Sequence, residues 1–173
     1  MIAFLKGVLA EKTPSAVIID VGGVGYEVFI SLSTYDRLPA KGAPCELLTH
    51  HLIREDAQQL FGFATTEEKS MFERLIGVSG IGPKTALSAL SGLTVAELSA
   101  AIANRDVKRL STLRGIGRKT AERIVVELHD KVDALEALAA TSAPGDKGQE
   151  VCIRDTMLAL TSLGFQSDAA RKM

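Results

Sequence analysis

Residues 80–86 read Gly-Ile-Gly-Pro-Lys-Thr-Ala, and residues 115–121 read Gly-Ile-Gly-Arg-Lys-Thr-Ala. Each copy lies between two apolar stretches with helical spacing, which is the pattern of a helix-hairpin-helix. Glycines allow the backbone to take positive φ and leave no Cβ between the chain and a ligand. The helix that follows adds unpaired N–H groups and the positive end of its dipole, so each copy predicts a phosphate-binding turn.

The repeat also places basic side chains at matching positions. Lys84 and Lys119 are equivalent, Arg118 and Arg123 add charge to the second copy, and Pro83 falls at the expected first residue of a helix. We expect the two hairpins to pack about a pseudo-twofold axis and to bind phosphates without reading bases. The predicted phosphate-binding residues are Gly80, Gly82, Lys84, Thr85, Gly115, Gly117, Arg118, Lys119, Thr120 and Arg123.

Other ligand classes do not fit these motifs. A nucleotide-binding P-loop requires a Gly-Lys pair after a strand, whereas Pro83 separates Gly82 from Lys84 and the preceding stretch is helical. A dinucleotide fingerprint needs a third glycine, which neither copy has. Cys45 and Cys152 lack metal or redox spacing, and the three histidines form no zinc pattern. The sequence therefore predicts a non-catalytic protein with no ATP, metal or other cofactor site.

The formal net charge of −1 conceals an uneven distribution. Residues 64–131 hold eleven Lys or Arg against eight Asp or Glu, whereas the segments on either side are net acidic. The positive excess thus coincides with the predicted phosphate-binding turns. Isolated cysteines, charged residues near the N-terminus and the lack of a long apolar run predict a cytoplasmic protein that does not enter membranes.

The chain divides into four predicted segments. Residues 1–63 are rich in β-branched and aromatic residues between glycines, and about five short strands predict a small closed barrel such as an OB-fold. Residues 64–131 are helical, with predicted capping boxes at Thr65/Glu68 and Thr94/Glu97. Residues 132–149 predict a flexible linker. Residues 150–173 predict one helix and part of another.

An acidic turn, Arg54-Glu55-Asp56-Ala57, lies between the last two predicted strands. Such a turn is usually only a solvated tip. Beside DNA, however, the carboxylates of Glu55 and Asp56 would repel phosphates and could part or exclude strands. A metal-dependent nuclease would need a further clustered carboxylate, and none lies at a useful spacing, so an electrostatic role is preferred to a catalytic one.

The chain resembles the RuvA family of bacterial proteins, which bind four-way (Holliday) DNA junctions. The similarity rests on residues 1–7, residues 20–26, the acidic turn with residues 60–63, and both hairpins in order. It extends from residue 1 to about residue 131 and resumes in the C-terminal segment. Other tandem hairpin proteins lack this combination of barrel and acidic turn.

The resemblance implies an OB-fold, a tandem helix-hairpin-helix domain and a mobile, UBA-like helical third domain. It implies a homotetramer, sometimes paired as an octamer, that holds a junction open in a square with Glu55 and Asp56 as an acidic pin at the crossover. The third domain would bind RuvB, a hexameric ATP-driven branch migration motor, and the nuclease RuvC would be a further partner. The setting would be recombination, DNA repair and the SOS response to DNA damage, near the nucleoid. Family members usually continue further, so we expect the third domain, residues 150–173, to be incomplete.

Two alternatives belong to other classes. A hairpin-containing DNA glycosylase or nuclease would need a catalytic Asp close after a hairpin, and Asp130 falls only at the end of its helix. A general binder of duplex or single-stranded DNA is the other. Single-strand binders stack bases on aromatic side chains, but the chain has no Trp and only two Tyr. Four phenylalanines are predicted to lie in the barrel core, namely Phe4, Phe29, Phe61 and Phe63.

Overall fold

Five strands close into a barrel in the computed structural model, which describes residues 1–55 and 57–140, the last ten by their backbone alone. The strands are β1 (Phe4–Lys12), β2 (Ala16–Val21), β3 (Val24–Ile30), β4 (Pro44–Ile53) and β5 (Gln58–Phe63). Their order around the barrel is β1-β2-β3-β5-β4, with β3 and β5 parallel and all other pairs antiparallel. The expected OB-like barrel is therefore confirmed.

The barrel core follows the alternation of side chains along each strand. Leu5 and Leu9 of β1, Val28 and Ile30 of β3 and Leu60 of β5 are buried in it. The prediction that four phenylalanines belong to this core was wrong. Phe4 is 56% exposed, Phe29 alternates with the inward-facing Val28 and Ile30, and Phe61 and Phe63 are buried on the outer face of β5, against the first long helix after the barrel. Leu5 takes the inward position in β1, so its neighbour must face outward.

Six helices complete the described part of the chain. They are α1 (Leu32–Arg37), α2 (Thr66–Gly77), α3 (Pro83–Gly92), α4 (Val95–Ala103), α5 (Val107–Ser111) and α6 (Arg118–Ala140). The pairs α2–α3 and α5–α6 form the two predicted hairpins, which confirms the tandem arrangement. No single described helix is long and apolar enough to cross a membrane, although α3 and α4, bent by 99°, would pass that test together.

Helix α6 continues into the segment predicted as a linker. The linker was expected from residue 132, whereas the helix continues to Ala140. Residues 131–140 are mostly Ala, Leu, Glu, Lys and Asp, and all but Asp are strong helix formers, so propensity extends the helix where apolar periodicity has faded. The rest of the predicted linker and the third domain at 150–173 lie outside the described residues, and the domain boundaries stay predictions.

The two predicted capping boxes differ. Thr94 and Glu97 form the complete reciprocal pair at the start of α4. Thr65 accepts a hydrogen bond from the Glu68 N–H at 3.2 Å, but the Glu68 carboxylate does not return to Thr65. It accepts instead from the N–H of Ala64, which directly precedes Thr65, and from the hydroxyl of Thr34, because α1 lies against this end of α2. A tertiary contact has displaced half of the local motif.

Barrel and helices belong to one compact unit, Met1–His129. Phe72 of α2 packs its ring against Phe61 and Phe63 of β5, with centroids 5.2 and 4.9 Å apart, and against His50 of β4 at 5.5 Å. The helical layer has its own core, in which Ile124 of α6 is fully buried, as its spacing predicts. The hairpins are therefore held on a barrel that also carries the acidic turn.

Candidate nucleic-acid interface

The repeated phrase folds twice into the same loop. Its first glycine has positive φ in both copies, 92° at Gly80 and 86° at Gly115. Its isoleucine is an anchor, because Ile81 and Ile116 are only 6% and 3% exposed. The hydrogen bonds repeat as well: Ile81 N–H to Val78 C=O (3.1 Å) and Ile116 N–H to Leu113 C=O (3.0 Å), then Ala86 N–H to Gly82 C=O (3.0 Å) and Ala121 N–H to Gly117 C=O (2.9 Å).

The second glycine of each loop has another role. Gly82 is the N-cap of α3 with φ −89° and ψ 167°, and no side chain caps this helix. Neither Gly82 nor Gly117 is among the glycines with positive φ, so the expectation that both glycines serve backbone freedom was wrong for the second one. A Cβ added at either position would meet no heavy atom within 4 Å. The protein itself leaves this space open, next to the N–H groups that begin each helix.

The two loops lie side by side. The methyl group of Thr85, in the first hairpin, would lie 3.4 Å from a Cβ built on Gly115 in the second. In the other direction, the Arg123 guanidinium donates to the Ser79 carbonyl at 3.3 Å and lies 3.7 Å from a Cβ built on Gly80. Each hairpin's second helix thus contacts the other hairpin's loop, as the predicted twofold arrangement requires.

The basic side chains at this surface differ in how freely they can meet an anion. Lys84 and Lys119 are exposed, and no hydrogen bond or ion pair holds them within the described part of the chain. Arg118 pairs with Glu122 at 3.0 Å, one turn further along α6. Arg123 is exposed but is tied to Ser79. The two lysines are therefore the more available cations at the loops.

A shallow open depression of about 300 Å³ lies on α6 beside the second loop. Its lining is of mixed charge, because Lys119 and Arg123 share it with Glu122, Glu127 and the largely exposed Val126. An anion would thus find a positive surface at the loop itself and a less favourable one further along α6.

One basic residue at this surface was missed by the sequence prediction. Arg114 is exposed and directly precedes Gly115, in the position that Ser79 occupies in the first loop. The signal was available, because an arginine adjoins the repeated phrase. Conversely, Thr85 and Thr120 are only half exposed, and the Thr85 methyl faces the other hairpin.

The acidic turn connects β4 and β5 at the barrel. The Arg54 N–H donates to the Ala57 carbonyl at 2.8 Å and closes the turn. Glu55 is exposed there, while Asp56 lies outside the described residues. Over residues 1–55 and 57–140, no group of three His, Cys, Asp or Glu side chains could hold a metal ion.

Comparison with known proteins covers both parts of the molecule. The barrel matches the family model described as the RuvA N terminal domain over residues 1–62, and the hairpins match the SAM-like helix-hairpin-helix tandem over residues 72–130. The chain is 50% identical to a protein of Neisseria gonorrhoeae over 175 residues, which cover 99% of this chain and 89% of that protein. This chain belongs to the RuvA family.

Other RuvA relatives agree with this assignment. Identity is 48% over 171 residues with a protein of Methylibium petroleiphilum (99% of this chain, 87% of the relative) and 46% over 176 residues with one of Chromobacterium violaceum (98% and 86%). All three relatives are named Holliday junction branch migration complex subunit RuvA. The resemblance inferred from the motifs is confirmed.

Proposed function

We propose that this chain binds four-way (Holliday) DNA junctions through their phosphate backbones and is the non-catalytic, junction-recognising subunit of a branch migration complex. The observation that carries the proposal is the pair of adjacent, matching loops, each with open space at its second glycine. Membership of a family whose relatives bear the junction-complex name supports it. The complex would act in recombination and DNA repair.

Each loop would hold a phosphate in the same way. The oxygens would approach the backbone at Gly82 or Gly117, where no side chain intervenes, and accept from the N–H groups at the start of α3 or α6. Lys84 and Lys119 would add long-range attraction, with Arg118, Arg123 and Arg114 nearby. Such contacts carry no base information, so binding would be independent of sequence and strongly dependent on salt.

One chain offers two adjacent loops, which suit the two strands facing one groove of a single duplex arm. A four-way junction would therefore require four copies around a fourfold axis, that is, a homotetramer, and two tetramers on opposite faces would make an octamer. In this arrangement the turns carrying Glu55 and Asp56 would meet at the crossover and disfavour phosphates there. ATP hydrolysis would come from RuvB, bound through the segment at 150–173, and RuvC would cut the junction. The cellular setting would be the bacterial cytoplasm at the nucleoid, within the SOS response.

A gel-shift titration tests this function. A synthetic four-way junction is compared with linear duplex of the same arm sequence, with excess competitor duplex and magnesium present. We expect selective retention of the junction, unchanged when the arm sequences are scrambled. Equal affinity for both DNAs would contradict the proposal and leave a general tandem hairpin DNA-binding protein, which is the alternative that the loops alone support.

A further inference from the structure

Helix α1, in the connection between β3 and β4, joins the barrel to the helical layer by polar contacts. The Thr34 hydroxyl donates to Glu68 Oε2 of α2 at 2.9 Å, and the Ala64 N–H donates to the same oxygen at 3.1 Å. Glu68 Oε1 faces the Arg37 guanidinium at 4.0 Å. We refer to Thr34, Arg37, Ala64 and Glu68 as the Glu68 clamp.

The same short helix is also bonded to α3. The Leu32 N–H donates to Ser91 Oγ at 3.0 Å, and the Ser33 hydroxyl donates to the Leu90 carbonyl at 3.2 Å. Because α2 and α3 flank the first loop, α1 contacts the first hairpin from both of its helices. The barrel is thus tied to the element that carries Gly80 and Gly82.

The Glu68 carboxylate at the centre of the clamp is buried and hydrogen-bonded, whereas the Arg37 side chain is exposed. Thr34 is fully buried and Glu68 is 2% exposed. A buried carboxylate is costly unless it is paired and hydrogen-bonded, and here it has two donors, a guanidinium and the positive end of α2. Removing one donor would therefore leave the Glu68 carboxylate short of a hydrogen bond at a buried position, where water cannot readily replace it.

Two kinds of contact connect barrel and helices, and they constrain different things. The packing of Phe72 on Phe61 and Phe63 is apolar, and apolar burial has no preferred direction. Hydrogen bonds weaken steeply when donor and acceptor lose alignment. The aromatic contact therefore holds the two layers together, whereas the clamp sets the angle between them.

We propose that Glu68 and Thr34 are positioning residues, which orient the hairpins relative to the acidic turn and thereby select four-way junctions over linear duplex. The inference rests on the proposed function. Linear duplex needs only the loops, whereas a junction needs the loops on its arms and the turn at residues 54–57 at its centre. A change in the angle between barrel and hairpins would thus affect junction binding alone.

The test compares Thr34→Val, which keeps the side-chain shape but loses the donor, with Thr34→Ser, which keeps the donor. Junction and duplex affinities are measured for the full chain with each substitution. The angle is followed through the distance between two spin labels, measured by double electron–electron resonance. The labels are attached at Glu11→Cys on the barrel and Lys108→Cys on α5, both exposed positions, in a chain that also carries Cys45→Ala and Cys152→Ala.

We expect Thr34→Val to broaden the label distances and to lower the junction-to-duplex affinity ratio about tenfold, with duplex affinity unchanged and Thr34→Ser restoring both readouts. An unchanged distance distribution, an unchanged ratio, or equal losses for junction and duplex would each overturn the inference. If the unsubstituted chain does not prefer junctions over duplex, both the proposed function and the role of the clamp in selectivity are wrong. The label distances then still decide whether the clamp sets the angle between barrel and hairpins.

Discussion

The two glycines of each hairpin loop are present for different physical reasons. Gly80 and Gly115 have positive φ, which a side chain would strain. Gly82 and Gly117 have no such need, and a Cβ on either would enter open space. The fold accounts for the first pair. The second pair would let a ligand approach the backbone, and Gly82 also suits its place as the N-cap of α3.

This difference predicts that stability and DNA binding separate. Gly82→Ala with Gly117→Ala should change the free energy of unfolding by less than about 1 kcal/mol and lower junction affinity roughly tenfold or more, because a methyl group blocks phosphate from the N–H groups. Gly80→Ala should instead destabilise the fold by about 1 kcal/mol or more. Urea unfolding and gel-shift titration measure the two effects.

Gly77→Ala is the matched control, since its Cβ also meets nothing within 4 Å but lies in α2 rather than in the loop. It should leave binding unchanged. Full junction affinity in the Gly82→Ala/Gly117→Ala variant would show that phosphates do not approach at these positions.

The free lysines of the loops give a second prediction. Lys84→Ala with Lys119→Ala should weaken junction binding and make its dependence on salt concentration shallower. The slope of log affinity against log salt should fall by about two, because two fewer phosphates are neutralised and fewer counterions are released on binding. Both side chains are exposed and unpaired among the described residues, so circular dichroism and the unfolding midpoint should hardly change.

Lys6→Ala with Lys41→Ala removes the same charge from exposed positions of the barrel and its loops, and serves as the control. If both double variants showed the same shallower slope, the effect would come from net charge and not from the loops. Unchanged affinity of the Lys84/Lys119 variant at moderate salt would contradict the assignment of phosphate binding to these lysines.

Helix α4 shows how local capping is coupled to pH. Hydrogen bonds from the Thr94 N–H and hydroxyl, followed by the charge of Arg109 at 2.8 Å, lower the pKa of Glu97 below its ordinary value of 4.5. A carboxylate with a lowered folded-state pKa stabilises the fold above its unfolded pKa and loses this effect as the pH falls through the folded value.

Glu97→Gln should therefore lower stability at pH 7, and the difference from the unsubstituted chain should shrink as the pH falls below 4.5. Urea unfolding at pH 7 and at about pH 3, which is below the unperturbed carboxyl pKa, measures this difference in the free energy of unfolding. Glu11→Gln, at an exposed carboxylate of β1, should show a smaller effect. A difference that is the same at both pH values would mean that the Glu97 charge does not support the cap.

The acidic turn acquires its proposed role only when several molecules meet. In one chain Glu55 is an exposed carboxylate at the end of a β-hairpin. Around a fourfold axis the same turns would gather at the crossover, where like charge repels phosphate over roughly a Debye length, about 8–10 Å. Removing this charge should then change how the DNA strands move through the crossover more than how tightly the junction binds.

We predict that Glu55→Gln with Asp56→Asn preserves or tightens junction binding and changes the rate of branch migration with the RuvB motor. Gel shift measures the first effect and strand-exchange kinetics the second. Glu11→Gln with Glu27→Gln neutralises exposed carboxylates elsewhere on the barrel and should leave migration unchanged. A marked loss of junction binding in the Glu55/Asp56 variant would argue against a repulsive role.

Much of this molecule follows from local sequence, because the decisive patterns are short. The repeated phrase predicts both hairpins, alternation and turn residues predict the five strands, and Thr94 with Glu97 predicts a cap that forms as expected. Helix α6 is the exception among the elements, since its propensity continues to Ala140 after its apolar pattern has faded. For the site, the repeat indicated the glycines and lysines but not Arg114.

What only the tertiary structure decided concerns contacts between parts that are distant in sequence. Glu68 is in the sequence position of a capping-box residue, yet its carboxylate accepts from Thr34, because α1 places a buried hydroxyl there that the local sequence does not predict. The adjacency of Thr85 and Gly115, and the separate reasons for the two glycines, likewise depend on packing. Sequence determines which turns can form, since that is a property of neighbouring residues, and packing determines what those turns face.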